Sequence, residues 1–275
     1  MTLLEVADGI RLDVQDVGAG PPVVLVPGVG MTHAVFDRQV RVLAAAGHRV
    51  VCVDQRGHGA SDKPFDGYGL DVLAGDLAAV LAALDLRDTT VVGWSLGAQV
   101  ALRLTVDGEP RIGRLVLVSS NGVAAARTDA FPFGATADAL LPGLLAAEHA
   151  DRLDARRAGL TMSFGSPPDP DVVTWLLHLS LRMPSWTSLA ISETLLRSCS
   201  ADRLDKLRVP TLQIYGTQDP VFSMRGAAWL RERIPGLRSV VLDGCGHYPM
   251  LERPDEFDRA LLDFLRDVPQ GLSSK

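Results

Sequence analysis

The motif Gly-x-Ser-x-Gly at residues 93–97 places Ser95 at the junction of two segments of different periodicity. The β-branched run at residues 90–92 predicts a buried strand, and residues 98–104 predict a helix. A serine on a tight strand-to-helix turn has a strained backbone, and flanking glycines leave room for that turn. The motif therefore predicts a nucleophile elbow, from which the Ser95 hydroxyl projects out of the fold.

Strand-like and helix-like segments alternate through most of the chain. Continuous apolar runs predict strands at residues 23–26, 49–53, 90–92, 114–118, 210–215 and 239–242, and the polar–apolar alternation of residues 10–17 predicts a half-exposed antiparallel strand. Segments between the later strands carry apolar residues at three- and four-residue spacing, which indicates helices with one buried face. This order predicts an α/β fold with a mostly parallel central sheet flanked by helices.

The alternation stops between residues 121 and 201. Helical stretches at residues 137–147, 172–181 and 188–197 follow one another there without an intervening strand. We expect residues 1–120 and 202–275 to form the core and residues 121–201 to form an inserted helical cap over the carboxyl edge of the sheet. The alternative is a helical insertion with a structural role only.

Three chemistry-bearing residues each follow a predicted strand. In open α/β sheets the functional loops lie beyond the carboxyl ends of the strands, so Ser95, Asp219 and His247 are expected to converge. Serine is a poor nucleophile unless a neutral imidazole takes its proton, and a carboxylate then holds and stabilises that imidazole. We predict Ser95 as the nucleophile, His247 as the base and Asp219 as its carboxylate partner.

A tetrahedral intermediate also needs hydrogen-bond donors for its negatively charged oxygen. The backbone N–H of Leu96, at the head of the helix after the serine, is one predicted donor. The second is the backbone N–H of Val29, in the Gly-rich turn after the first buried strand.

A mostly apolar substrate pocket is expected above Ser95, because the predicted cap carries bulky apolar side chains. For His33 the alternative is a packing role within its own loop. The candidate substrate-binding residues are His33, Trp94, Trp175, Leu179 and Trp186.

Charge and cysteine content exclude several classes of protein. A net charge of -6 argues against nucleic acid as a partner, since such proteins concentrate Lys and Arg. No apolar stretch reaches the ~20 residues that span a bilayer, and the N-terminus lacks the features of a signal peptide, so we expect a cytoplasmic protein without a membrane partner. The three widely spaced cysteines suit reduced thiols better than disulfides or a metal site.

Four motifs together resemble those of the α/β-hydrolase fold superfamily, over nearly the whole chain. They are an oxyanion turn at residues 27–30, an Asp-x-Arg-Gly-x-Gly-x-Ser loop at 54–61, the elbow at 93–97 and a histidine loop at 246–247. Residues 66–88 further resemble the branch of cofactor-free haloperoxidases and arylesterases. The resemblance implies carboxylic ester hydrolysis, with perhydrolysis as a side reaction and with no metal or organic cofactor.

We therefore expect a serine hydrolase of carboxylic esters of small apolar substrates, acting through an acyl-enzyme on a small-molecule ester or lactone. A lactonase or a C–C bond hydrolase would use the same triad. A cofactor-free haloperoxidase or perhydrolase, and a hydrolase-fold ligand-binding protein, are further alternatives. In the haloperoxidase-like branch the oxyanion turn carries an aromatic residue followed by Pro, where this chain has Val29 and Gly30. The sequence leaves open whether the protein is a homo-oligomer.

Overall fold

The computed structural model describes residues 2–7 and 9–267. Its strands form one eight-stranded sheet in the order β1-β2-β4-β3-β5-β6-β7-β8. The strands are β1 (Thr2–Ala7), β2 (Ile10–Val17), β3 (Pro22–Val26), β4 (Arg49–Val53), β5 (Thr89–Trp94), β6 (Ile112–Val118), β7 (Thr211–Gly216) and β8 (Arg238–Leu242). β2 pairs antiparallel with both β1 and β4, and all other pairings are parallel. The predicted mostly parallel sheet is confirmed.

Helices cover both faces of the sheet. They are α1 (Asp37–Ala45), α2 (Leu70–Ala83), α3 (Leu96–Val106), α4 (Ala137–Ala150), α5 (Arg152–Met162), α6 (Pro170–Ser180), α7 (Ser185–Arg197), α8 (Met224–Arg233), α9 (Pro249–Glu252) and α10 (Pro254–Arg266), with 3-10 turns at His33–Phe36 and Ala201–Lys206. None of the helices in the described part of the chain is long and apolar enough to cross a bilayer.

The alternation of side chains along β3 divides the interior into two cores. Val24 and Val26 pack with α2 and α3 on one face, whereas Val23 and Leu25 pack with α1 and α10 on the other. Every residue of β5 is buried, because this strand lies between β3 and β6 near the middle of the sheet. Ser95 therefore follows directly on a strand in the buried middle of the sheet.

Four helices, α4 to α7, lie between β6 and β7, where the sequence predicts the cap. α4 packs on α7 and α5 packs on α6. The division into a core and a cap stays a prediction, and its terminal residues 1 and 268–275 lie outside the described part of the chain.

β1 and α5 are among the elements that were not expected from the sequence. β1 is an edge strand that pairs only with β2, and none of its residues is fully buried, so it lacks the apolar run by which the inner strands are recognised. Leu160 is the one apolar residue that α5 buries, and the helix carries three arginines, so it has no continuous apolar face. Its start is set by Asp151, whose side chain accepts hydrogen bonds from the N–H groups of Leu153 and Asp154.

Candidate active site

Ser95 occupies the single position between the end of β5 and the start of α3. Its φ of 57° and ψ of -118° are rare for a residue with a side chain and strain the backbone. A Cβ on Gly97 would lie 2.2 Å from the carbonyl oxygen of Val26, so this position of the motif cannot hold another residue without displacing β3. The strain and the close packing both support an elbow that presents the serine side chain.

His247 and Asp219 form a hydrogen-bonded pair. The Nδ1 of His247 lies 2.9 Å from Oδ2 of Asp219, and the two side chains are 7% and 1% exposed. The other carboxylate oxygen accepts the backbone N–H groups of Val221 at 2.8 Å and Phe222 at 3.1 Å. Because an ionised carboxylate only accepts hydrogen bonds, Nδ1 carries the proton and Nε2 is left as an acceptor.

The loop that carries His247 is held from three sides. The backbone carbonyl of His247 accepts the indole N–H of Trp94 at 2.8 Å. The backbone N–H of His247 donates to the carbonyl of Ser163, at the end of α5, at 2.7 Å. One oxygen of Glu252 accepts the N–H groups of Gly165 and Gly246 at 2.8 and 2.9 Å. The backbone of the histidine loop is therefore tied both to the residue before Ser95 and to the helical insertion.

Ser95 and His247 line one cavity of about 300 Å³. Val29 and Trp94 complete its lower wall, and side chains of α4, α5 and α7 form its upper wall. The large apolar residues of the upper wall are Leu144, Leu145, Leu160, Leu189 and Leu195 of these helices, together with Met183 of the connection between α6 and α7. The structure thus brings the predicted nucleophile and the predicted base together beneath the helical insertion, with Asp219 behind the imidazole.

The Ser95 hydroxyl makes no side-chain hydrogen bond to any other residue that the structure describes, His247 included. Hydrogen bonds between catalytic groups are often long in unliganded enzymes and shorten when substrate binds. Leu96 is the first residue of α3, so its N–H has no acceptor within the helix. The turn after β3 approaches the elbow closely, since a Cβ on Gly28 would lie 2.8 Å from that of Ser95. The oxyanion roles of Val29 and Leu96 stay predictions.

His33 is not among the residues that line the cavity, and its role as a substrate-binding residue stays a prediction. Its ring Nδ1 lies 3.0 Å from Asp54 Oδ1, which also accepts its backbone N–H at 2.6 Å, so the imidazole is held in its own loop. Asp13 lies close by, and ligand atoms of these three buried residues lie within 4.8 Å of one another. The His33–Asp54 hydrogen bonds account for the geometry of this cluster, and the absence of a metal from the site stays a prediction.

We expect the His33–Asp54 pair to make stability depend on pH. The hydrogen bond to Asp54 raises the pKa of His33, and burial opposes this increase. The charge of Asp13 raises the pKa slightly further, and the charge of Arg182 lowers it slightly. The stabilisation is therefore complete below the unfolded-state pKa of ~6.5 and is lost as pH rises through the folded-state pKa. Urea unfolding from pH 5 to 9 should show a stability advantage over His33→Asn that shrinks as pH rises. The exposed His178→Asn serves as the control, and a pH-independent advantage of His33 would contradict the expectation.

The three bulky residues predicted from the helical insertion also lie outside the cavity. Trp186 is 44% exposed and its indole N–H donates to the carbonyl of Pro64 at 3.2 Å. Trp175 is 37% exposed and lines a separate surface groove, and Leu179 is partly buried against the core cluster that also contains residues of α1 and α10. The reason is helical phase, because successive residues are rotated by about 100° and only one face of each helix meets the cavity.

The sequence analysis missed a buried ion pair in the upper wall. Arg156 of α5 binds both oxygens of Glu148 of α4 at 2.5 and 3.2 Å, and the two side chains are 7% and 8% exposed. Arg156 also donates to the carbonyls of Ser180 and of Met183, the latter at 2.9 Å. This arginine joins three parts of the insertion. No local spacing signals the pair, because it spans the turn between α4 and an unpredicted helix.

Comparison with known proteins identifies the family. The family model described as "Alpha/beta hydrolase family" matches residues 23–260. The chain belongs to the alpha/beta hydrolase family. This hydrolase is 32% identical over 251 residues to the pimeloyl-[acyl-carrier protein] methyl ester esterase of Nitrosomonas europaea, covering 90% of this chain and 96% of the relative. It is 30% identical over 263 residues to a putative non-heme chloroperoxidase of Synechocystis sp., and the match covers 92% of this chain and 94% of the relative.

The fold of this alpha/beta hydrolase is also close to that of a solved esterase. The esterase EaEST from Exiguobacterium antarcticum superimposes with a TM-score of 0.93 at 28% identity, covering 97% of this chain and 99% of the other. The similarity extends through the helical insertion as well as the sheet. The relatives therefore include proteins named as esterases and as haloperoxidases, in agreement with the branch that the sequence resembles.

Proposed function

We propose that this hydrolase cleaves carboxylic esters of small apolar substrates through a Ser95–His247–Asp219 triad and an acyl-enzyme. The observation that carries the proposal is a strained, cavity-facing Ser95 in the same cavity as an Asp219-paired His247. The relatives named as esterases support the choice of esters. We further propose that residues 121–201 act as the cap that shapes the cavity.

In the acylation step the Ser95 Oγ attacks the ester carbonyl carbon while Nε2 of His247 takes the hydroxyl proton. Asp219 keeps Nδ1 protonated and stabilises the imidazolium that forms. The negative charge of the tetrahedral intermediate is placed near the N–H groups of Val29 and Leu96. Collapse of the intermediate breaks the bond to the alcohol, and the imidazolium gives its proton to the departing oxygen.

In the deacylation step a water molecule replaces the alcohol. His247 takes one proton from this water as its oxygen attacks the acyl carbon, and returns a proton to Ser95 as the acid leaves. The same two N–H groups serve the second intermediate. The chain's own residues thus complete the cycle and restore the starting protonation state.

Two measurements test the proposal. A fluorophosphonate probe should label the purified protein at Ser95, and p-nitrophenyl acetate and butyrate should be hydrolysed with saturation kinetics. A ligand-binding protein of the same fold that does not catalyse would fail to turn over either ester. Labelling at a residue other than Ser95 would show that the nucleophile is misassigned.

We expect hydrolysis to exceed perhydrolysis, although some relatives are named as chloroperoxidases. Gly30 has a φ of 73°, a conformation that proline, with φ near -65°, cannot adopt. This backbone therefore cannot form the rigid aromatic-Pro turn of the haloperoxidase-like branch. Hydrogen peroxide should then attack the acyl-enzyme with little advantage in rate over water. The measurement is bromination of monochlorodimedone with acetate and peroxide, set against hydrolysis of p-nitrophenyl acetate. A Ser95-dependent bromination faster than hydrolysis of every ester tried would reverse the assignment.

A further inference from the structure

The cavity-facing side of α7 carries two serines whose hydroxyls have no hydrogen-bond partner among the described residues. Ser188, Leu189, Ser192 and Leu195 of this helix line the cavity. In the described part of the chain, no hydrogen bond involves the side chain of Ser188 or Ser192, whereas the cavity serine Ser180 donates to the carbonyl of Leu177 at 2.9 Å. The two α7 hydroxyls are therefore available to a bound molecule.

The charged groups around the cavity are already occupied. Glu148 and Arg156 neutralise each other, and Arg156 uses its remaining contacts on two backbone carbonyls. The imidazole of His247 is paired with Asp219. Burial raises the pKa of the Tyr248 hydroxyl, so this side chain stays neutral. Among the described residues that line the cavity, a charged substituent would find no unpaired opposite charge, while a neutral polar substituent would find two hydroxyls.

We propose that Ser188 and Ser192 form a subsite for a neutral hydrogen-bonding group, an amide in the first place, in the acyl or the alcohol part of the ester. Residues four apart on a helix have Cβ atoms about 5–6 Å apart, and each hydroxyl can donate and accept. One serine can therefore donate to the amide carbonyl while the other accepts from the amide N–H. Leu189 and Leu195 contact the alkyl chain between the amide and the ester. This inference rests on the proposed function and narrows its substrate class from simple apolar esters to amide-bearing ones.

The test compares amide esters with all-carbon isosteres. The acyl series contains p-nitrophenyl esters of 4-acetamidobutanoic, 5-acetamidopentanoic and 6-acetamidohexanoic acid. Each is compared with an isosteric ester in which CH2 replaces the amide N–H and CH(CH3) replaces the amide carbonyl. The alcohol series contains the corresponding acetamidoalkyl acetates and their isosteres. We expect the enzyme to prefer the amide in at least one series. In the double variant Ser188→Ala and Ser192→Ala, the ratio of kcat/KM for amide over isostere should fall about tenfold, mainly through a higher KM.

Matched variants separate recognition from a change in packing. Ser185→Ala alters the same helix outside the cavity and should keep the full preference. The double variant Ser188→Thr and Ser192→Thr retains both hydroxyls and should keep most of the preference for amide esters. The rate of fluorophosphonate labelling of Ser95 confirms that each variant has an intact site.

The outcomes are distinct. Hydrolysis of the isosteres without any preference for amides in either series overturns the subsite and leaves the esterase proposal standing. A preference that survives the double alanine variant also overturns the subsite. Failure of the enzyme to hydrolyse any ester in either series overturns the subsite, and failure on p-nitrophenyl acetate and butyrate as well overturns the proposed function.

Discussion

Ser95→Ala is expected to abolish fluorophosphonate labelling and to lower ester turnover by ~10³-fold or more, because the covalent route is lost. The folded structure should survive the change. Alanine keeps the Cβ at the strained φ of 57°, and the hydroxyl that it removes makes no side-chain hydrogen bond to another described residue. Labelling, steady-state hydrolysis of p-nitrophenyl butyrate and thermal unfolding of the same preparation measure the three effects.

Ser119→Ala is the matched control for this substitution. Ser119 is also a buried serine with a positive φ, of 44°, directly after the neighbouring strand β6, and its hydroxyl has no hydrogen-bond partner among the described residues. It does not line the cavity. The control should label and turn over substrate as the parent protein does. Normal hydrolysis by Ser95→Ala would show that another residue, or water alone, attacks the ester.

Asp219→Asn is expected to reduce kcat by roughly 10³–10⁴-fold, because a neutral amide neither fixes the required tautomer of His247 nor stabilises its protonated form. The side chain keeps its size, and its carbonyl oxygen can still accept the N–H groups of Val221 and Phe222. The loss should therefore appear in kcat and in the rate of fluorophosphonate labelling, with little change in thermal stability.

Asp243→Asn separates this effect from a general loss of negative charge near the histidine loop. Asp243 lies four residues before His247 and accepts a hydrogen bond from the Thr217 hydroxyl at 3.1 Å, away from the imidazole. This variant should retain activity. Equal losses in the two variants, or normal activity of Asp219→Asn, would show that Asp219 does not serve the imidazole.

The inner part of the fold could be predicted because its signals are local. Strands buried on both faces, such as β3 and β5, appear as short runs of β-branched residues, and α2 and α10 carry one apolar face each. β1 and α5 could not be predicted in this way, because their residues are stabilised by pairing with β2 and by the Glu148–Arg156 ion pair rather than by their own apolar pattern.

The triad residues of the candidate site could likewise be predicted, whereas the upper wall of the cavity could not. Ser95, Asp219 and His247 follow strands whose carboxyl ends share one edge of the sheet, so topology alone predicts their approach. The composition of the upper wall depends on which face of each helix in the insertion is directed towards the cavity. For α7 that face carries Ser188 and Ser192 rather than Trp186, and side-chain size alone does not reveal this.

The link between His247 and the end of α5 limits how a substrate can enter. Lifting α5 together with the connection to α6 would break the bond from the His247 N–H to the Ser163 carbonyl and pull the imidazole away from Asp219. Among the described residues, α4 is joined to the histidine loop only indirectly, through the Glu148–Arg156 pair with α5, and its Leu144 lines the cavity and is 51% exposed. The cavity therefore reaches the surface beside Leu144, and the histidine loop, tied to α5 and to the residue before Ser95, closes it on the opposite side.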